Sequence, residues 1–385
     1  MIARGNAVAM TDVRRVLVVG GGIGGLSTTI AMRKGGLDVD VIEKNPAWDV
    51  YGVGIIQPPN ALRALHAIGA ARECVDQGWP IKGSAAFLAD GETQIADDEM
   101  PAVVPGLPPG NGITRKRLHA ILQRHTLETG ADVRTGVTVT TLADRPDGVK
   151  VEFSDGESRD YDLVVAADGI DSQIRSMVFG DEHQARYTGQ VCWRYNLPRI
   201  EGLDKIWVFL GPSGTAGFVP LAEDLMYLLF IEKPPEGSSI RLPEPGLAAI
   251  LRERLSPFGG PIAEHRELLV DDAQTVYRSV ENVRLPPPWY RGRVVLIGDA
   301  AHATSPHCGQ GAAQAIEDGL VLAQELAADR ELSETLAVYL ERRYERCRMI
   351  VEGSETIGRW EQDHSLPIDP NKVRQEVIMA ASAPI

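Results

Sequence analysis

The sequence predicts an α/β chain in two domains. A doubly wound parallel-sheet domain is assembled from separated segments, a second domain (α+β) carries a largely antiparallel sheet, and a C-terminal helical segment follows. Three observations predict this. Short apolar runs at Val16–Val19, in YDLVVAAD ending at Asp168 and in RVVLIGDA ending at Ala300 read as strands buried on both faces, as parallel strands covered by helices are. Each leads into a turn bearing glycine and then a helical pattern. Between the second and third runs, residues 183–283 lose the strand–helix alternation and offer consecutive strand candidates. A chain of 385 residues also exceeds what one core comfortably serves.

The elements follow in order. MIARGNAVAMTD has no apolar stretch of signal-peptide type and reads as a short disordered leader near a second methionine, Met10. VRRVLVVGGGIGGLSTTIAMRKGGLDVDVIEK then gives a strand, the GxGxxG of Gly20, Gly22 and Gly25, a helix through Lys34 stopped by Gly35-Gly36, and a second strand ending at Glu43. In this arrangement the first glycine permits the tight turn, the second admits a pyrophosphate against the backbone, and the third lets helix and strand pack closely. The pyrophosphate would meet the unpaired N–H groups of the helix N-terminus. Glu43, about 20 residues on, is placed to accept both ribose hydroxyls of an adenosine. A Rossmann-like dinucleotide site is expected, although the motif alone does not choose between NAD and FAD.

Further along, PNALRALHAIG reads as a helix ending at Gly69, and ITRKRLHAILQRHTLETG as a helix with basic residues on its first turn. VRTGVTVTTLADRPDGVKVEFSDGESRDYDLVVAADG alternates and turns at Asp147-Gly148 and Asp155-Gly156, the pattern of an antiparallel meander returning to a buried strand. QVCWRYNLP, KIWVFLG, TAGFVPLA and LMYLLFIE are the strands expected of the second sheet, joined by residues 80–110; after the Pro-rich KPPEGSSIRLPEPG comes the helix LAAILRERL. RVVLIGDA restores the first domain, a helix begins near Gly311, and SETLAVYLERRYERCRMIVEGSETIGRW is amphipathic helix.

Composition narrows the partners. A formal net charge of -14 repels a phosphate backbone and an anionic membrane surface, so neither nucleic acid nor membrane is an expected partner. Cys74, Cys192, Cys308 and Cys347 form no CxxC pair, which argues against a redox dithiol, a zinc site or a disulfide scaffold and suits free thiols in the cytoplasm. No metal site is expected.

Two later motifs extend the dinucleotide signal. VVAADGIDSQIRS places Asp168-Gly169 after a buried strand, and VVLIGDAAHATSPHCGQGAAQAIEDG places Gly298-Asp299 after another, with Gly309 and Gly311 opening a helix. A strand-end acid can hold polyol hydroxyls, and the N–H groups of a helix start can hold an electron-rich heterocycle edge. Three such turns suit a long cofactor with a nucleotide at one end and a second polar group far away. From about Val13 to Trp360 the sequence resembles the single-component FAD-dependent aromatic hydroxylases, the class A flavoprotein monooxygenases related to para-hydroxybenzoate hydroxylase. The resemblance rests on GGGIGG with Glu43, on ADG at 167–169, and on the spacing from Gly298 through Asp299, His302, Pro306, Gly309 and Gly311 to Glu317-Asp318.

That resemblance implies tightly bound, non-covalent FAD, with NAD(P)H as a transient co-substrate. A single GxGxxG after a recognisable strand agrees with one resident dinucleotide. It implies an FAD-binding domain at 12–79, 111–182 and 284–330, a substrate domain at 80–110 and 183–283, and C-terminal helices at 331–376. Gly20, Gly22 and Gly25, with Ile23 and Gly24 beside them, would line the pyrophosphate; Glu43, beside Lys44, would bind the adenosine ribose. Arg115 would lie along the phosphates and ribityl chain, Asp299 would hold a ribityl hydroxyl and pyrophosphate, and Gly311, Ala312 and Ala313 would present N–H groups to flavin N1 and O2. Asp168 would support the glycine turn or cap a local one, and Pro306 and Gly309 belong to the flavin-adjacent loop.

The implied reaction is hydroxylation of a small aromatic or N-heteroaromatic substrate, phenolic or carboxylated, through a flavin C4a-hydroperoxide, with NAD(P)H and O2 consumed and the protein a monomer or homodimer. Related oxidation of an alkene or prenyl chain, or flavin binding without turnover, shares the same fingerprint. His307 and Tyr51 are the candidate catalytic residues, the first as a substrate base or orienting group, the second as a gate. His302 reads as structural. Trp193 and Tyr195 share one face of a strand and Arg194 the other, and either face is a candidate pocket wall.

Overall fold

A computed structural model describes residues 13–50, 52–235 and 245–385; the leader, Tyr51 and residues 236–244 lie outside the described residues. The strand at Arg15–Val19 sits in the middle of a six-stranded sheet. Edge to edge, its strands are Tyr290–Arg291, Val294–Leu296, Leu163–Ala166, Arg15–Val19, Asp38–Glu43 and Asp132–Thr135. Every pairing is parallel except that of Tyr290–Arg291. Val16, Leu17 and Val18 are fully buried, as a strand covered on both faces requires.

The helix Ile23–Lys34 packs against Gly311–Leu326 through small residues. A Cβ on Gly24 would lie 3.1 Å from Ala315 Cβ, and one on Gly319 would lie 2.2 Å from Thr28 Oγ1. Their backbones therefore approach closely, and this brings the two glycine-bearing turns to one end of the sheet.

Val139–Arg145, Gly148–Phe153 and Ser158–Tyr161 form the expected antiparallel meander. VRTG departs from expectation. Asp132–Thr135 pairs in parallel with Asp38–Glu43 and extends the main sheet, because its short run follows a helix and continues the strand–helix alternation. Likewise Ile113 and Thr114 belong to a strand, Gly110–Thr114, and the helix begins at Arg115 where Thr114 Oγ1 accepts from the Arg117 N–H at 3.2 Å.

The second sheet has seven strands, ordered Val276–Asn282, Arg186–Pro198, Leu225–Glu232, Gly214–Pro220, Ile206–Gly211, Gly83–Leu88 and Gln94–Glu99. Its pairings are antiparallel save that between Ile206–Gly211 and Gly83–Leu88. Its two faces differ sharply. Trp193, Tyr195, Phe209, Phe218, Leu228 and Phe230 pack into an aromatic-rich core with the helix Leu247–Arg254. The opposite face carries smaller side chains, among them Val208, Thr215, Gly217, Leu229 and Ile231, and turns toward Pro306–Gly309.

The chain ends in a 31-residue helix, Leu332–Gln362, and a last helix, Pro370–Ser382, which runs past residue 376. Asp369 caps the last helix, accepting from the N–H groups of Asn371 and Lys372 at 3.0 and 3.1 Å. Val377 and Ala381 pack with Cys308, Ile350 and Ile357, which fixes this helix beside the Pro306 turn. Among the described residues, no helix is long and apolar enough to cross a membrane.

Candidate active site

The Gly20–Gly25 loop is shaped by distinct constraints. Gly20 has φ +111°, and a Cβ there would lie 2.4 Å from the Ala167 carbonyl oxygen. A Cβ on Gly25 would lie 1.9 Å from the Gly20 carbonyl oxygen, so only glycine lets the helix start against its own strand. Gly22 is different: its φ of -83° and ψ of -173° suit any residue, and its Cβ would meet no protein atom within 4 Å. Protein packing therefore gives no reason for glycine at 22, whereas the close approach of a ligand does. Among the described residues no side chain caps the helix after Gly22, and its first turn carries no acid. Ile23, Gly24 and Gly25 begin a helix whose N-terminus is open to an anion.

Around the loop, Glu43 accepts from the Gly21 and Asn45 N–H groups at 2.8 and 2.7 Å, and Lys44 beside it is exposed. Each carboxylate oxygen retains a lone pair for a hydroxyl. Trp48, at φ +46°, donates from Nε1 to the Gly21 carbonyl at 3.0 Å, and His119 Nε2 meets the same oxygen at 2.8 Å. The sequence singled out neither residue, since one lies in an irregular loop and the other inside a helix.

The second turn places Asp168 in local service. Its carboxylate accepts from Ser172 Oγ at 2.6 Å and the Ile174 N–H at 3.1 Å, at the start of the helix Gln173–Phe179. Burial raises its carboxyl above the ordinary range. Gly169 beside it has φ +83°, with open space where a Cβ would be.

The third turn brings an acid and two guanidiniums into one neighbourhood. Solvent reaches the Asp299 carboxylate, yet protein surrounds it on most sides; that enclosure pushes the carboxyl upward against the pull of His302 and Arg115. Arg115 is only partly exposed, and among the described residues its buried Nε has no hydrogen-bond partner. Burial and the neighbouring Arg194 hold its pKa below the ordinary value, with Asp299 opposing them. Two neighbouring guanidiniums, one of them facing the Asp299 carboxylate, suit an anionic or electron-rich guest. Gly311, Ala312 and Ala313 open the helix Gly311–Leu326, which has no side-chain cap among the described residues and no acid in its first turn. A Cβ on Gly311 would lie 3.9 Å from Asp299 Oδ1, so acid and helix start face one space. An uncapped helix start at each end, an orphaned Arg115 Nε between and Gly22 open to close approach together fit a dinucleotide carrying a heterocycle.

Pro306–Cys308 form a short turn closed by Gly309 at φ +63°. His307 lies inside the molecule. Its Nδ1 is 2.7 Å from Ser305 Oγ and its Nε2 is 3.0 Å from Glu361 Oε2, with Gln190 Nε2 donating to the same carboxylate oxygen at 2.9 Å. A neutral imidazole satisfies both contacts by donating to Glu361 and accepting from the Ser305 hydroxyl. Burial alone would raise the Glu361 carboxyl, but His307 and the hydrogen bonds from His307, Thr215 and Gln190 hold it below the ordinary range. Glu361 was not legible as a site residue, being one acid among many on a long helix.

His302 serves a separate buried assembly. Its Nε2 is 2.6 Å from Asp318 Oδ2, while Arg343 donates to Asp318 at 2.7 Å and to Glu317 at 2.9 Å. Burial opposes the charge on His302, but Cys347 and Asp318 outweigh it, so the imidazole pKa stands well above its ordinary value. His302, Asp318 and Cys347 also lie close enough to hold a metal ion, but Arg343 already occupies the acid's other oxygen. The Glu317-Asp318 end of the sequence motif is thus a lock beneath the turns.

On the Arg186–Pro198 strand Trp193 and Tyr195 face the aromatic core and Arg194 faces the other way. Trp193 donates from Nε1 to Glu232 at 2.9 Å and Tyr195 Oη accepts from the Asp271 N–H at 3.2 Å, both within the aromatic core. Arg194 neighbours Arg115 and buried Tyr227, whose hydroxyl burial pushes up to about 12. Between this sheet face and the Pro306 turn lies an apolar cavity whose walls include Thr215, Leu229, Ile231, Pro306, His307 and Arg374.

A nucleotide-binding parallel sheet with an apolar cavity at its junction with an antiparallel sheet defines a flavoprotein oxidoreductase architecture. Residues 14–354 match the family model described as FAD binding domain. Aurachin C monooxygenase/isomerase of Stigmatella aurantiaca is 34% identical over 90% of this chain and 90% of its own length. The 2-heptyl-3-hydroxy-4(1H)-quinolone synthase of Pseudomonas aeruginosa is 32% identical over 93% of each chain. The crystal structure of Klebsiella pneumoniae HpxO complexed with FAD and uric acid is 26% identical, with a TM-score of 0.82 over 96% of this chain and 97% of that one. The chain belongs to the FAD-dependent aromatic hydroxylase family and is an FAD-dependent monooxygenase.

Proposed function

We propose that this protein hydroxylates a small phenolic or N-heteroaromatic ring in the cytoplasm, using NAD(P)H and O2. The observation that carries the reading is the apolar cavity held between the Pro306–Gly309 turn and one sheet face, with His307, Glu361 and Arg374 as its ionisable wall. The similarity to a 2-heptyl-3-hydroxy-4(1H)-quinolone synthase supports an electron-rich ring as the guest.

Bound FAD would accept hydride from NAD(P)H and then activate dioxygen for transfer to the ring. The chain's own residues divide the remaining work. The helix start at Ile23, with Gly22 and Gly20, receives the pyrophosphate; Glu43 receives the adenosine ribose; Arg115 and Asp299 hold the central phosphate and ribityl region. The N–H groups of Gly311, Ala312 and Ala313 stabilise negative charge at the ring edge they face. Asp168 holds its turn. Leu229, Ile231 and Val208 exclude water and orient the substrate ring. His307 handles the proton of a ring hydroxyl by way of Ser305: the Ser305 hydroxyl passes its proton to Nδ1 as it takes the ring's, and the resulting charge is matched by Glu361, to which Nε2–H already points.

The test is NAD(P)H oxidation by the FAD-loaded protein against 4-hydroxyquinolones, hydroxypyridine carboxylates and hydroxybenzoates, with products read by mass spectrometry. A ring that stimulates oxidation and gains one oxygen atom is expected. NAD(P)H oxidation yielding only hydrogen peroxide with every ring, or oxygen incorporated into an alkene and never a ring, overturns the reading.

A further inference from the structure

The apolar cavity beside Pro306 does not end at the sheet. It shares Ser84, Met100, Val208, Arg374 and Ile378 with a second cavity that runs between the strands Gly83–Leu88 and Gln94–Glu99 and the last helix. The outer cavity holds about 280 Å³ and the inner about 80 Å³, so a guest filling both extends away from the turn. Ala86 lies on the sheet side of the outer cavity, with Ile378 and Met379 on the helix side. Met379 is 59% exposed, which places the far end near solvent.

The wall has a fixed position. Val377 and Ala381 anchor the last helix on the neighbouring face, and Gln375 Nε2 donates to Asp98 across the mouth. At the neck, Arg374 donates from Nε to the His307 carbonyl at 3.2 Å and from Nη1 to Asn371 Oδ1 at 3.1 Å. Those bonds use two of the five guanidinium N–H groups, leaving donors for an anionic oxygen on a ring lodged inside. The helix Pro370–Ser382 lies beyond residues 14–354, so this wall is added to the FAD-binding framework from outside it.

We propose that the substrate carries an alkyl side chain on its ring, and that this chain lies in the cavity roofed by the last helix while Arg374 holds the ring's oxygen at the neck. The inference rests on the ring-hydroxylase reading for the identity of the ring alone. A compartment that is mainly apolar and larger than the ring site adds binding free energy only for a guest with hydrocarbon to bury in it.

The experiment measures dissociation constants for 4(1H)-quinolones bearing no side chain, methyl, propyl, pentyl or heptyl at ring position 2, from the perturbed flavin absorbance of the FAD-loaded protein. Affinity should rise by about fourfold per added methylene until the compartment is full. Ala86→Phe and Ile378→Trp, which intrude from opposite walls, should each shift the plateau to shorter chains; if one variant fails to fold, the other reads the same slope. Turnover is measured separately on the same series. Steep chain-length dependence whose plateau a folded variant moves to shorter chains supports the inference even if no ring is oxygenated, in which case the hydroxylase reading falls alone. Turnover with affinity independent of chain length overturns the inference and leaves that reading standing. Failure of every quinolone to bind, or a plateau that folded variants leave unmoved, overturns it as well.

Discussion

Gly22 and Gly25 stand one helical turn apart, yet alanine should act on different properties at each. At Gly22 the added Cβ meets nothing in the protein and the backbone angles are ordinary. Two small terms then decide stability. Alanine is a poorer N-cap than glycine by about 0.5 kcal/mol or somewhat more. Against this, a less flexible unfolded chain returns about 0.4–1 kcal/mol. The sum lies within about 0.5 kcal/mol of zero, less than about 1 °C in Tm for a chain of this size. FAD affinity should nevertheless fall about 10- to 100-fold, the loss of about 1.5–3 kcal/mol expected when a charged group is pushed off backbone donors. At Gly25 the Cβ would lie 1.9 Å from a carbonyl oxygen, and the helix must move by more than 1 Å. Such overpacking costs about 3 kcal/mol, the upper end of the usual range. Thermal melts of the apoproteins and FAD titration by fluorescence quenching separate the two. A Gly22→Ala apoprotein destabilised like Gly25→Ala, or one binding FAD like the parent, would refute the assignment of Gly22 to ligand approach.

Other perturbations have equally definite outcomes. Asp299→Ala should weaken FAD retention by roughly 10-fold or more, since charge-assisted bonds are lost, while Asp329→Ala should not; equal flavin affinities by titration would remove Asp299 from the site. His307→Gln should keep FAD yet lower hydroxylation, or divert reducing equivalents to peroxide, by about 10²-fold, narrowing at higher pH where a phenolic ring ionises unaided; parent-like coupling across the pH range would remove His307 from the chemistry. The raised pKa of His302 stabilises the fold fully below its unfolded value of about 6.5, and this contribution is lost as pH rises through the folded pKa. The parent's advantage in denaturant midpoint over His302→Asn should therefore shrink on the alkaline side, and a gap constant with pH would refute a charged pair with Asp318.

The sheet that binds nucleotide was legible because its signals are local. Four buried residues, three spaced glycines and a strand-end acid fall within the stretch from Val16 to Glu43; Gly20 and Gly25 have a steric reason visible in the backbone, and Gly22 is left to the approach of a ligand. The last strand of the main sheet was not, since Asp132–Thr135 is short and partly polar and declares itself only by pairing with Asp38–Glu43. Residues of the cavity wall were harder still. Glu361 and Arg374 reach His307 from helices more than 50 positions downstream, and neither sits in a motif. His307 itself was found through its place in the Pro306 loop, while its burial and its carboxylate partner come from tertiary packing. The leading and trailing faces of Trp193–Tyr195 were resolvable in alternation but not in direction, because periodicity says which residues share a side and nothing of what lies beyond it.

The two-sided seven-stranded sheet has a consequence for how this protein can change. Along Leu228–Ile231 the side chains alternate between the aromatic core and the cavity, and the partner residues Thr215–Phe218 do the same. Neighbouring codons thus answer to separate demands: Phe230 and Phe218 to keeping the sheet folded, Leu229 and Ile231 to which molecule fits. Substitutions on the cavity side can accumulate with little debt in folding, so a lineage can drift among ring substrates while its aromatic layer stays as it is. A mutational library confined to positions 208, 229 and 231 samples that drift directly.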